Sequence, residues 1–279
     1  GKEYLNVLDF IGNYEKAGKA PLLLSGERSF GNGKAYEYQD IEYPEDCIVD
    51  FDMRLIDLFK EMDKRKLTMK KQVRQEYFRV KELLDGKRPT RMELFTYMED
   101  EIYQYCISHA KDNPFRQYLE FLNELDELSE DERKLYDGIG REFIATIETT
   151  DMQKVYKMPI LYSFYNHGNI RLAVTDEEVL ESWKEFFDTG TNWKDFPNVN
   201  TYEDYKKMTD KQLLSKAKTM PIRFLKSSGK GFFVEKDGYA LALREDLAEV
   251  VENPAFVEHM RDVLEYRSVE YYRRRYEAV

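Results

Sequence analysis

Met69-Lys70-Lys71-Gln72-Val73-Arg74-Gln75-Glu76-Tyr77-Phe78-Arg79-Val80-Lys81-Glu82-Leu83-Leu84 is the stretch that decides the fold class. Met69, Val73, Tyr77, Val80 and Leu84 recur at spacings of three and four, which lines apolar side chains along one face of an α-helix, and Gly86 supplies the stop. The same period runs upstream through Phe51, Leu55, Leu58, Phe59 and Met62. Downstream, Thr90 with Glu93 and Ser129 with Glu132 match the capping box that satisfies free amides at a helix start, so helices are expected to open near 91 and 130. Phe115, Tyr118, Leu119, Leu122 and Leu125 form a further stripe, continued by Leu135, Ile139, Phe143 and Ile147. The pattern breaks at Thr149-Thr150-Asp151 and resumes as helical stretches over 153–165, 175–187 and 202–218. A last helix follows Pro254, with Val257, Met260, Leu264 and Tyr271 on one stripe.

Two places depart from the helical period. Tyr4 to Phe10 is a short apolar run ending at Gly12-Asn13, the length and punctuation of a buried strand. Residues 231–236 and 239–243 flank Asp237-Gly238, a dipeptide suited to a type I′ hairpin turn. The expected fold is mainly α (α+β): multi-helix bundle subdomains with an N-terminal strand and a small β-hairpin.

The 279 residues suffice for a large core, and 42% hydrophobic against 35% charged residues excludes a disordered or collagen-like chain. With 43 Lys and Arg against 54 Asp and Glu the formal charge is −11, which argues against a uniformly basic nucleic-acid binder but leaves room for a local basic surface. Cys47 and Cys106 stand far apart without Cys or His at ligand spacing, which fits a reducing compartment and no structural zinc. No apolar run has the length of a membrane span, and the opening residues lack a signal-peptide pattern, so a cytoplasmic protein is expected.

The catalytic patterns fail on their own chemistry. Gly26 to Lys34 resembles a phosphate loop superficially, but Asn32 and Ala35 stand where a Walker A loop needs its fixed Gly-Lys-Ser/Thr spacing. Asp50, Asp52 and Asp57 have the oxygen ligands a magnesium-dependent nuclease would need, yet Asp50 and Asp52 sit where a helix begins and are explained by capping and the helix dipole. His109, His167 and His259 are widely separated, with His109 near a helix end and His167 in the turn-like Asn166-His167-Gly168-Asn169. No serine stands in a GxSxG elbow. No catalytic, cofactor-binding or metal residue is nominated.

Charge patterning is more informative. From Lys60 to Arg91 twelve Lys or Arg face five Asp or Glu, a net of +7, so the rest of the chain carries −18. Lys70, Arg74 and Lys81 fall within about 40° of one another on a helical wheel, beside the apolar stripe. The candidate phosphate-contacting residues are Lys64, Arg65, Lys66, Lys70, Lys71, Arg74 and Lys81, with Lys154, Lys157 and the terminal Arg273, Arg274 and Arg275 as auxiliaries. The competing reading is a solvated helix face balanced by acids such as Glu76 and Glu82, and a terminal helix whose tyrosines pack and whose arginines suit its negative end.

Several blocks together resemble the C-terminal region of bacterial superfamily 2 DEAD/DEAH-box helicases related to the type III restriction enzyme Res subunit. They are residues 7–14 (VLDFIGNY), 47–52 (CIVDFD), 88–94 (RPTRMEL), 149–159 (TTDMQKVYKMP) and 220–225 (MPIRFL). The resemblance implies that 1–44 is a remnant or extension of the second RecA-like domain, 45–150 a helical bundle with the basic helix, and 151–279 a helical subdomain with the hairpin. It implies a parent that couples ATP hydrolysis, with magnesium, to movement along DNA. The Walker A lysine, the acidic box and the QxxGRxxR motif are absent from these residues, so the family's catalytic positions have no counterpart here. The expected role is an accessory one, contacting DNA without sequence preference and the parent's own motor domains. The alternatives are a protein-docking module for restriction or defence subunits and, third, a metal-dependent nuclease.

Overall fold

The structure is a computed structural model that describes residues 69–277 apart from His167. The expected N-terminal strand, the Gly26–Lys34 loop, Cys47, the Asp50–Asp57 cluster and Lys64, Arg65 and Lys66 lie outside the described residues.

Mainly α-helical architecture with two small antiparallel sheets is what the chain adopts. Helix α1 covers 69–83, buries Val73, Tyr77 and Val80, and ends where Asp85 and Gly86 both take positive φ. That left-handed pair lets the Gly86 amide return to the Lys81 carbonyl at 2.9 Å, so Gly86 stops the helix as its position in the sequence requires. Helices α2 (Arg91–Tyr97) and α3 (Asp100–Ser108) follow, then α4 (Tyr118–Glu124), α5 (Glu130–Tyr136) and α6 (Ile139–Thr149). Thr90 with Glu93 and Ser129 with Glu132 both form reciprocal capping boxes, at α2 and α5. The Phe115–Leu125 stripe is interrupted: Asn113 accepts the Phe115 amide at 2.9 Å and caps a short 3₁₀ turn over Pro114–Arg116 before α4 begins.

Helix α7 (Lys157–Phe164) is shorter than expected: residues 153–156 form a bend and turn ahead of it, where the Val155 amide donates to the Asp195 carboxylate at 2.9 Å. Helix α8 (Asp176–Asp188) starts at a capping box of Thr175 and Glu178 and buries Trp183 and Phe187 against Tyr156 and Phe196. The stretch 202–218 is broken into α9 (Tyr202–Lys206) and α10 (Asp210–Ala217), since Thr209 opens a fresh capping box with Gln212. Helix α10 then passes through a π-turn at Lys218–Ile222 into α11 (Arg223–Ser228). Pro221 lies inside that turn, where a missing amide donor and a ring that crowds the preceding carbonyl are best tolerated.

Strands β1 (Tyr165–Asn166) and β2 (Asn169–Ile170) pair in one ribbon. Strands β3 (Ala173–Val174), β4 (Phe233–Val234) and β5 (Leu241–Leu243) form the second sheet, ordered β3-β5-β4. The β4–β5 hairpin is present, with Phe233 opposite Leu243. Its turn is not type I′: the Tyr239 amide bonds the Lys236 carbonyl at 3.1 Å and only Gly238 has positive φ (+81°), the type II pattern. Glycine alone therefore carries the left-handed conformation, and Asp237 avoids its steric cost.

Helix α12 (Pro254–Tyr272) packs against α2, α5, α6 and α7 and buries Phe256, Met260, Val263, Leu264, Tyr266 and Tyr271. One cluster of buried side chains runs from Val73 to Tyr271 across Thr150, the C-cap of α6. No helix among the described residues is long and apolar enough to cross a membrane.

Candidate nucleic-acid interface and the buried charge network

Helix α1 places Lys70, Lys71 and Arg74 on its outer side. Lys70 and Arg74 share a single carboxylate, Glu124 at the end of α4, at 3.5 and 2.8 Å. These side chains are 46% and 41% exposed and Glu124 is 46% exposed, so among the described residues Lys70 and Arg74 stand against one solvated acid, with Lys71 exposed beside them. Exposed ion pairs of this kind contribute about 0–1 kcal/mol, weak enough for either cation to exchange Glu124 for a phosphate. Lys81 is held differently: its ammonium bonds both oxygens of Glu127, at 2.7 and 2.6 Å, in a half-buried setting that ties α1 to the loop after α4.

The auxiliary cations are drawn into packing. Asp195, fully buried, receives the Lys154 ammonium at 3.1 Å, the Val155 amide at 2.9 Å and the Tyr271 hydroxyl at 2.8 Å, and Arg275 lies 3.5 Å away. Lys154 and Arg275, 121 positions apart in sequence, thus meet at one carboxylate instead of facing solvent together. Lys157 bonds the Thr150 hydroxyl at 2.9 Å, and burial lowers its pKa. Arg273 pairs with Asp100 at 2.7 Å and lies over the Phe95 and Tyr103 rings, and Arg274 stays exposed, 3.8 Å from Glu270.

Arg91, the last cation in the basic count, is fully buried. Its guanidinium bonds Glu148 and, at 3.0 Å, Asp262, and lies 4.9 Å from the Tyr118 ring centre. The two acids also act on helix ends. Asp262 accepts the Arg91 and Met92 amides at 2.9 and 3.1 Å, satisfying free donors at the start of α2, and Glu148 accepts the Tyr118 amide at 3.1 Å at the start of α4. Arg267 closes the other end of α6, donating to the Glu148 carbonyl at 2.8 Å and to the Thr150 carbonyl.

Beside this network a cleft of about 570 Å³ is lined in part by Arg88, Glu132, His259 and Arg261. Glu132 is buried and receives the Ser129 amide at 2.8 Å, the His259 Nε2 at 2.7 Å and the Arg88 guanidinium. Burial would raise its pKa, but the bonds from His259, Arg88 and Ser129 outweigh that and bring it down to about 2. Every oxygen of this carboxylate is occupied and the His259 Nδ1 is sealed from solvent, so the pair fastens α12 to α5 instead of presenting an acid–base group to the cleft. His109 caps the end of α3, its Nδ1 3.0 Å from the Tyr105 carbonyl. Cys106 is fully buried, which pushes its thiol up to about 12. No three His, Cys, Asp or Glu side chains converge as a metal site among the described residues.

The charge count that singled out 60–91 passed over a second stretch. Between Lys211 and Val234 there are six Lys or Arg and no Asp or Glu, a signal visible without any structure. No protein-family model, curated protein or solved structure matches the chain.

Proposed function

We propose that this chain is a non-catalytic accessory part of an ATP-dependent DNA helicase or translocase and contacts DNA without sequence preference through Lys70, Lys71 and Arg74. The reading is supported by the resemblance of five sequence blocks to the C-terminal region of such helicases. The observation that carries it is the outer side of α1, where Lys70 and Arg74 share one exposed carboxylate and Lys71 stands exposed beside them. Phosphate contacts there exchange a weak ion pair for counterion release, which gives affinity that tracks the backbone and ignores base sequence. Lys81 ties α1 to the loop after α4, whereas Lys154, Lys157 and Arg275 are engaged by Asp195 and Thr150 elsewhere in the fold, and ATP and magnesium belong to the motor portion.

The test is binding of the 279-residue chain to duplex DNA between about 50 and 200 mM salt. Affinity is expected to fall steeply with salt, and K70E/K71E/R74E is expected to reduce the slope by about 3, one for each phosphate no longer neutralised. Undetectable binding at low salt, an unchanged slope in the variant, or nucleotide turnover by the chain itself overturns the reading. A second reading is docking of partner subunits of a restriction or defence system; Phe78 and Leu83 are exposed on the same helix, about 140° apart around it. A partner whose retention is insensitive to salt and abolished in F78A/L83A would favour it.

A further inference from the structure

Residues 211–239 carry a second exposed surface, built from α10, α11 and the tip of the β4–β5 hairpin. Acidic residues occur about once in five positions in this chain (54 of 279), yet none falls between Lys211 and Val234. Leu213, Ala217, Pro221, Ile222 and Leu225 are buried, whereas Lys211, Lys218 and Arg223 are exposed. The π-turn at Lys218–Ile222 sets this phase. A spacing of seven separates Lys211 from Lys218 and a spacing of five separates Lys218 from Arg223. The extra residue accommodated by the wide turn makes that five equivalent to a helical four, so the three cations stay in one row.

Most of this charge is uncompensated. Lys218 pairs with Asp176 at 2.6 Å in an exposed setting, and Lys226 pairs with Glu235. Lys211, Arg223 and Lys230 have no ion-pair partner among the described residues. Exposed aromatic rings are interleaved with the cations: Phe224 is 44% exposed with the Arg223 guanidinium 5.1 Å from its centre, and Tyr239 is 43% exposed with the Lys236 ammonium at 5.2 Å. The hairpin is fixed to α11 by the Lys226–Glu235 pair and by Gly229, where an added Cβ would lie 2.4 Å from both the Leu225 carbonyl and the Phe233 ring. The two rings thus stand on adjoining elements.

We infer that this surface binds single-stranded nucleic acid, with Lys211, Arg223 and Lys230 along the phosphates and Phe224 and Tyr239 stacking on unpaired bases. A cationic row alone suits any polyanion. Exposed rings flanked by cations select a ligand that offers both backbone charge and free base faces, which a paired duplex withholds. The surface is carried by residues other than those of α1 and stands whether or not α1 grips duplex.

The test measures anisotropy of a labelled oligo(dT) and of a labelled duplex of equal length with the full chain, its F224A/Y239A and K211E/R223E/K230E variants, and the α1 variant K70E/K71E/R74E. All these positions are exposed apart from Arg74, which is half-buried, and circular dichroism checks that the fold is kept. Oligo(dT) affinity is expected to fall at least tenfold in each surface variant, with duplex binding changed less than threefold by F224A/Y239A. It is expected to survive in the α1 variant, which separates this site from the one proposed above. Unchanged oligo(dT) affinity in either surface variant, an equal loss for duplex in F224A/Y239A, or tighter binding to phosphatidylserine vesicles than to oligo(dT) overturns the inference.

Discussion

Glu132→Gln isolates what one buried carboxylate contributes and when it contributes it. Glu132 titrates at about 2 in the folded chain against an ordinary 4.5, a difference of roughly 3 kcal/mol in favour of folding at neutral pH. Because the folded pKa is the lower one, that stabilisation is present above 4.5 and drains away as pH falls towards 2. By about pH 3.5 roughly 1.4 kcal/mol of it is gone. Glutamine keeps an acceptor for the Ser129 amide but holds no charge for Arg88 and His259. The variant should therefore be less stable than the parent by roughly 3 kcal/mol at about pH 5.5, with the gap narrowing to roughly 2 at about pH 3.5. Unfolded histidines are protonated throughout that window, and the other carboxylates cancel in the difference. Urea unfolding followed by tryptophan fluorescence measures both chains at each pH. A gap that stays constant across the window refutes the claim that Arg88, His259 and Ser129 stabilise the ionised form.

The remaining predictions concern packing and charge elsewhere. Arg91→Ala strands Glu148 and Asp262 without their cation in the core and should cost about 3–5 kcal/mol in urea unfolding. Gly229→Ala drives a methyl group into the Leu225 carbonyl and the Phe233 ring and should lower stability by about 1–3 kcal/mol, visible as a depressed Tm. Glu124→Gln releases Lys70 and Arg74 from their shared carboxylate and should tighten duplex binding about threefold to tenfold at low salt, with the gain shrinking as salt rises.

Local features of the fold were readable in the sequence and distant ones were not. Thr90/Glu93, Ser129/Glu132 and the Gly86 stop each depend on residues within one helical turn, and each helix begins or ends where those residues place it. The hairpin was legible as a hairpin, but its turn type depends on strand register, which pairing of Phe233 with Leu243 sets. The site was harder. In a net-charge count Arg91 is one more cation beside Lys70, although one is sealed in the core and the other is half exposed. Glu132 reads as a capping residue, and nothing near it announces that His259 will arrive from 127 positions away. Asp195 gives no local signal at all, since its partners come from residues 154–155 and 271–276.

Helix α12 imposes an order of assembly. Asp262, His259 and Arg267, which complete the polar contacts of Arg91, Glu132 and Glu148, leave the ribosome more than a hundred residues after the groups they satisfy. Until then the earlier helices form with their charges hydrated and their apolar stripes uncovered, so native closure waits for α12 to be synthesised. Ribosome-bound chains ending before Pro254 should accordingly be open to protease at sites that the finished fold protects.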